Sequence, residues 1–217
     1  MVKLDILSDP ICPWCYIGKT YLDRALEAHP EHDFLIEWHP FQLNHNMPEG
    51  GMDRRQYLET KFGGQKGAIQ AYMPVVENAK EAGLSINFEG IETTPNTLNA
   101  HRVIHWAGLE GKQTPMVSAM FKAYFTEGLD IGDAEVLNRL AEGIGMEAGL
   151  VARLLATDED KQLMHDRDAH ARERGVRSVP TFIVNNQYAI SGAQKPDMWA
   201  NVIAEIAQSQ QDEDTDE

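Results

Sequence analysis

Apolar and polar positions alternate with period two over "VKLDIL", residues 2–7, the pattern of a strand. "SDPICP" breaks the alternation. From Pro13 onward the apolar positions recur at helical spacing: Tyr16, Tyr21, Leu22, Ala25 and Leu26 form a stripe along "WCYIGKTYLDRALEAH". "HPEHD" ends that helix, and "FLIEWHPF", residues 34–41, reads as a second strand rich in branched and aromatic residues. The first forty residues therefore predict β-α-β, the unit of a parallel strand pair.

The pattern is then helical from about Met52 to Gly175, in six or seven pieces separated by short turns marked by glycine. In "TTPNTLNAHRVIHWAG" the sequence predicts Thr94 as N-cap and Pro95 at the first helical position. "TPMVSAMFKAYFTEG" repeats the device with Thr114 and Pro115. Strands return at "PTFIVN" and "YAISGA", joined by "NNQ", a tight hairpin signal at Asn185 and Asn186. "KPDMWANVIAEIAQ" is amphipathic, with Met198, Trp199, Val202, Ile203 and Ile206 on one face. The expected organisation is one α/β domain built from residues 1–48 and 176–208, an all-helical insertion over 49–175, and a disordered acidic tail over 209–217. One sheet closes only if the strands on either side of the insertion pair.

Charge narrows the function. The chain carries −15, and "DEDTDE" at the end supplies five of those charges. An acidic surface argues against nucleic acid, which needs a basic patch, and against anionic membranes. No apolar run approaches the roughly 20 residues of a membrane span. Asp5 and Asp9 interrupt the N-terminal segment where a signal peptide would be apolar. The expected compartment is the cytoplasm, where thiols are kept reduced and a CxxC pair is catalytic or metal-binding rather than a staple.

Cys12 and Cys15 are the only cysteines in 217 residues, and they sit together in "DPICPWCYIG". A structural zinc site needs four ligands; the pair would have to recruit two histidines. His101 and His105 share a helix face, yet nothing in the sequence ties them to the cysteines, and a helix surface or a core contact accounts for both. A redox pair fits the local geometry better. Cys12 precedes Pro13, and proline is favoured at the first helical position. Cys12 then sits at the N-cap, where unpaired N–H groups and the helix dipole favour an anion, so a thiol there ionises more readily. Cys15 follows one turn later on the same face. Cys12 is expected to be the exposed attacking thiol and Cys15 the more buried resolving one. "SVPT", residues 178–181, places Pro180 at the start of a strand; a cis bond there would turn the backbone of Val179 toward the sulfur.

These residues carry a resemblance. A β-α-β unit with CxxC at the helix start, then Val-Pro-Thr leading a hairpin and a final helix, resembles the thioredoxin fold. The long helical insertion is similar to that of the DsbA-type branch. "SDPICPWCYIG", "EWHPFQLN", "PNTLNAHRVIHWA", "FTEGLDIGD" and "VPTFIVNNQYAISGAQ" resemble FrnE-like thiol oxidoreductases from Ser8 to Gln194. The resemblance implies dithiol/disulfide exchange through Cys12 and Cys15, with Pro180 as a cis-proline and Val179 as a backbone contact. It implies no cofactor beyond the Cys12–Cys15 disulfide itself, with glutathione as a candidate co-substrate. The implied partners are protein or small-molecule thiols and disulfides, acting on a monomer or homodimer. His39 departs from the arginine common after the tryptophan in FrnE-like sequences. It is a candidate substrate contact whose charge would follow pH, or a strand-end surface histidine. Trp14 is a candidate substrate contact, or cover for the disulfide. It leaves the pair without the cation that a Pro-His dipeptide supplies, which implies a potential less oxidising than that of DsbA, within roughly −270 to −120 mV. Kappa-class transferases and 2-hydroxychromene-2-carboxylate isomerases resemble the chain in fold but typically carry serine at the first cysteine. They supply the alternative activity; a chaperone-like binding module is a third.

Overall fold

The computed structural model describes residues 1–147 and 149–215. In chain order the elements are β1 (Val2–Ser8), α1 (Pro13–Ala28), β2 (Phe34–Pro40), β3 (Met52–Asp53), α2 (Arg54–Phe62), α3 (Gln65–Glu81), β4 (Thr93–Thr94), α4 (Leu98–Leu109), α5 (Gln113–Phe125), α6 (Ala134–Gly143), α7 (Leu150–Leu155), α8 (Lys161–Glu173), β5 (Thr181–Val184), β6 (Tyr188–Ser191) and α9 (Pro196–Thr215). The main sheet has the order β2-β1-β5-β6, with β1 and β2 parallel and the other pairs antiparallel. β1 and β5 are direct neighbours, with Ile6 opposite Phe182 and Leu7 opposite Thr181. The strands flanking the insertion thus pair, as a single sheet requires.

Alternation along β1 and β5 assigns the two faces. Leu4, Ile6, Phe182 and Val184 lie on one side, and Phe182 meets Trp199 of α9 edge to face, ring centroids 4.7 Å apart. α1 packs alongside α9. The insertion covers β2, which α4, α5 and α8 all touch. β2 is the edge of the sheet, and an unpaired edge invites association. Here Gln113 takes the place of a further strand: its Oε1 accepts from the Trp38 N–H at 2.8 Å and its Nε2 donates to the Trp38 carbonyl at 3.0 Å.

Several sequence expectations shift. The insertion is not wholly helical, because β3 and β4 form a short antiparallel ladder. Thr94 is not an N-cap; it lies in β4, and α4 starts at Leu98. The residue before a proline is pushed toward extended backbone, so Pro95 makes Thr94 a strand residue. Asn96 Oδ1 then accepts from the Leu98 N–H at 2.9 Å. α5 starts at Gln113 rather than after Thr114, which leaves Pro115 in the first turn, where its missing N–H costs nothing. Thr114 Oγ1 instead accepts from Trp38 Nε1 at 2.9 Å. The hairpin follows the sequence reading: Asn185 and Asn186 have φ of 50° and 57°. α9 does not stop before the acidic tail but runs to Thr215. Helix propagation adds a bond for each residue fixed, and Gln210 Nε2 reaches Asp33 Oδ2 at 3.4 Å, beside the N-terminal ammonium that also pairs with Asp33. Residues 216–217 of the expected tail lie outside the described residues.

Candidate active site

β1 ends at Ser8, and a tight turn delivers the chain to α1: the Cys12 N–H donates to the Asp9 carbonyl at 2.9 Å. Cys12 is the N-cap residue of α1 in extended conformation (φ −87°, ψ 114°), with Pro13 directly after it. Its carbonyl accepts from the N–H groups of Cys15 at 3.1 Å and Tyr16 at 3.2 Å. Both cysteines are free thiols. The Cys12 thiol donates to the Val179 carbonyl at 3.6 Å, and the Val179–Pro180 bond is cis. Two segments some 165 residues apart in sequence therefore meet at one sulfur. Gly18 permits this approach: a Cβ there would lie 3.1 Å from Pro180 Cγ and 3.3 Å from Ala193 Cα, a close approach that glycine accommodates.

Burial corrects one expectation. Cys12 retains only 3% of its surface and Cys15 1%, so the first thiol is not exposed. The Val179 backbone closes over Cys12, while the half-buried Trp14 packs against both hydrophobic clusters of the protein. Burial first, then the adjacent Cys12, pushes the Cys15 thiol well above its ordinary value; the Asp9 N–H and the Ser8 hydroxyl pull the other way. Cys15 is thus protonated at neutral pH.

Trp14, Val179 and Pro180 sit beside the cysteines. His39 belongs to a different group: its Nε2 lies 2.6 Å from Asp5 Oδ1, and Lys3 Nζ bridges Asp5 and Glu37 at 3.0 Å each. No hydrogen bond or ion pair among the described residues joins His39 to either cysteine. Asp5, Glu37 and His39 are the one group of three metal-type side chains brought together among the described residues, and the Lys3 ammonium already pairs with both carboxylates. His101 is buried in the core and His105 is half-buried.

The sequence reading does not single out Asp9. This carboxyl is fully buried; its Oδ2 accepts from the Leu43 N–H at 2.7 Å and its Oδ1 from the Ile11 N–H at 3.3 Å. His101 Nε2 stands 3.9 Å from Asp9 Oδ1. Burial pushes the Asp9 carboxyl up to about 7, against the hydrogen bonds it accepts, and holds His101 down at about 4, so that ring is neutral. The available signal was an acid three residues before Cys12 in an otherwise apolar segment.

Asp9 makes stability depend on pH. An unfolded chain ionises this carboxyl near 3.8 and the folded one near 7. The contribution is fully present below about pH 4 and is lost as pH rises through about 7, by an amount on the order of 4 kcal/mol. Urea unfolding of wild type and Asp9→Asn across that window should show the wild type losing stability relative to the variant as pH rises. Parallel curves would remove the assignment.

The model of the DSBA-like thioredoxin domain matches residues 3–204. The uncharacterized protein YwbO of Bacillus subtilis is 28% identical over 205 residues, covering 94% of this chain and 96% of that one. The crystal structure of a probable DsbA oxidoreductase from Streptomyces coelicolor superposes with a TM-score of 0.84 at 25% identity, over 94% of this chain and 89% of the other. A 2-hydroxychromene-2-carboxylate isomerase shares the fold at a TM-score of 0.72 and 16% identity, over 97% and 98% of the two chains. With residues 3–204 of the 217 matched and the cysteine pair at the head of α1, the chain belongs to the DSBA-like thioredoxin domain family.

Proposed function

We propose that the protein is a thiol:disulfide oxidoreductase of the FrnE-like kind, with Cys12 as attacking thiol and Cys15 as resolving thiol. The observation that carries the reading is the placement of Cys12 at the N-cap of α1 with its sulfur on the Val179 carbonyl and Cys15 one turn behind. The backbone at Val179 offers a carbonyl beside that sulfur, where an extended substrate can lie against it. In the reducing direction the Cys12 thiolate attacks one sulfur of a substrate disulfide, whose other sulfur leaves as a thiolate. Cys15 then attacks Cys12, the mixed disulfide breaks, and the second substrate thiol departs. The protein loses two electrons to the substrate and ends as a Cys12–Cys15 disulfide; the oxidising direction is the reverse. Glutathione is the small thiol to test as co-substrate. The isomerase alternative has the shared fold behind it and nothing at the site, since the cysteine pair is intact.

Reduction of insulin disulfides by the full chain, followed by equilibration in glutathione buffers, tests the reading. Turnover is expected, with a two-electron potential below −120 mV and inside the thioredoxin-to-DsbA window of roughly −270 to −120 mV. Absence of thiol–disulfide turnover, combined with glutathione-dependent isomerisation of 2-hydroxychromene-2-carboxylate, would transfer the assignment to the alternative.

A further inference from the structure

β1 and β2 run parallel, and their register sets Asp5 directly opposite Glu37. His39 follows Glu37 by two residues, so the pleat turns it to the same face of the sheet. The three side chains converge there. One ligand-type atom from each lies within 4.8 Å of the others; His39 Nε2 stands 2.6 Å from Asp5 Oδ1 and 3.8 Å from Glu37 Oε1. Asp5 is only 6% exposed, and its contacts with His39 and Lys3 both fall on Oδ1. Asp5 Oδ2 makes no hydrogen bond or ion pair among the described residues. Polar atoms of so buried a side chain are rarely left without a partner.

The trio lines a groove of about 430 Å³ between the sheet and α8, whose other wall includes Asp166, Arg167 and His170. We propose that Asp5, Glu37 and His39 bind a divalent transition-metal ion, with zinc as the ion that suits two carboxylate oxygens and one imidazole nitrogen. The donor set decides the class. Magnesium and calcium take oxygen ligands, whereas an imidazole draws zinc. Three protein ligands on one face of a sheet leave the remaining positions open toward the groove, as in zinc sites that keep a place for water or a small ligand. The site is independent of the dithiol reading, because neither cysteine belongs to the group.

Lys3 bears on the site directly. Its Nζ lies 3.0 Å from Asp5 Oδ1 and 3.0 Å from Glu37 Oε2, so the two carboxylates already hold a cation between them. The ammonium offsets one of their two negative charges, and a divalent ion offsets both. The Lys3 side chain is 37% exposed, and its flexible stem lets the ammonium swing out into water. Lys3 is therefore the competitor that the ion displaces, and removing its charge strengthens metal binding. A purely structural ion-pair network carries no such expectation.

Cobalt(II) titration of the full chain, free of any affinity tag and carrying Cys12→Ser and Cys15→Ala so that no thiol competes, reads the site. One cobalt per chain is expected, with visible d–d bands and no thiolate-to-cobalt charge-transfer band; zinc should displace it and magnesium should not. In that background Asp5→Asn and His39→Gln should each weaken binding by at least roughly 10-fold, since loss of even a supporting partner costs that much. Glu37→Gln, on a half-exposed side chain, decides the matter if Asp5→Asn fails to fold. Lys3→Met should tighten binding a few-fold, a gain that no misfolded variant mimics. Absence of cobalt binding, or binding that the folded Asp5, Glu37 and His39 variants leave unchanged, would overturn the site and leave an ion-pair network only. Equal affinity in Lys3→Met would overturn displacement of the ammonium.

Discussion

Cys12→Ser is expected to reduce insulin turnover to the level of the dithiothreitol-only control, while Cys15→Ala should arrest the reaction one step later, with substrate bound covalently to Cys12. The two sulfurs are not interchangeable. Cys12 occupies the N-cap of α1 and contacts Val179, while Cys15 lies one turn inside the helix with its thiol pushed well up by burial and by Cys12. A protonated thiol is a poor first nucleophile, because the thiolate is the reactive form. Removing Cys12 therefore leaves no competent attacker. Removing Cys15 leaves the attacker and deletes only the group that frees the product, so the mixed disulfide should persist and be visible as a mass increase under non-reducing conditions. Both substitutions shrink or conserve the side chain, so folding should survive, which circular dichroism can check. Full turnover by Cys12→Ser would end the dithiol mechanism. Full turnover by Cys15→Ala would show that an external thiol resolves the intermediate.

The cysteine pair, the strand β1 and the β5–β6 hairpin were legible because each rests on local rules. Proline after Cys12 starts a helix, alternation marks β1, and Asn185–Asn186 demands a tight turn. What the sequence hid depends on distant neighbours. Thr94 carries the marks of a cap, yet the proline after it favours a strand, and Met52 lies opposite it to pair with. Cys12 reads as exposed because an N-cap usually faces solvent; the chain at Val179 covers it. His39 reads as a site residue from its place after Trp38, whereas its ring is held by Asp5, an interaction between parallel strands. Asp9 and His101 come from opposite ends of a span of some ninety residues. Only the folded insertion puts them within reach of each other, and only burial gives Asp9 its raised value.

Trp199→Ala is expected to be among the most destabilising single changes outside the site, costing roughly 3–5 kcal/mol. Trp199 is fully buried, and its ring meets Phe182 at 72°. Alanine would lose the transfer energy of the indole and leave a cavity that α9 and the sheet can only partly close. For a chain of this length that loss corresponds to a melting temperature lower by roughly 6–20 °C. The position bears on function because Phe182 follows Pro180 by two residues and pairs with Ile6. α9 thereby seats the strand that carries Val179 and Pro180 against Cys12. Trp199 Nε1 has no hydrogen-bond partner among the described residues, so part of the indole's burial is unfavourable. Trp199→Phe keeps an aromatic face for Phe182 and removes that orphaned N–H, and should lose less than half as much stability. Urea unfolding of the three proteins separates packing from hydrogen bonding. A phenylalanine variant as weak as the alanine one would mean that the indole N–H has a partner after all, while an alanine variant within about 1 kcal/mol of wild type would mean that α9 does not hold β5 in place.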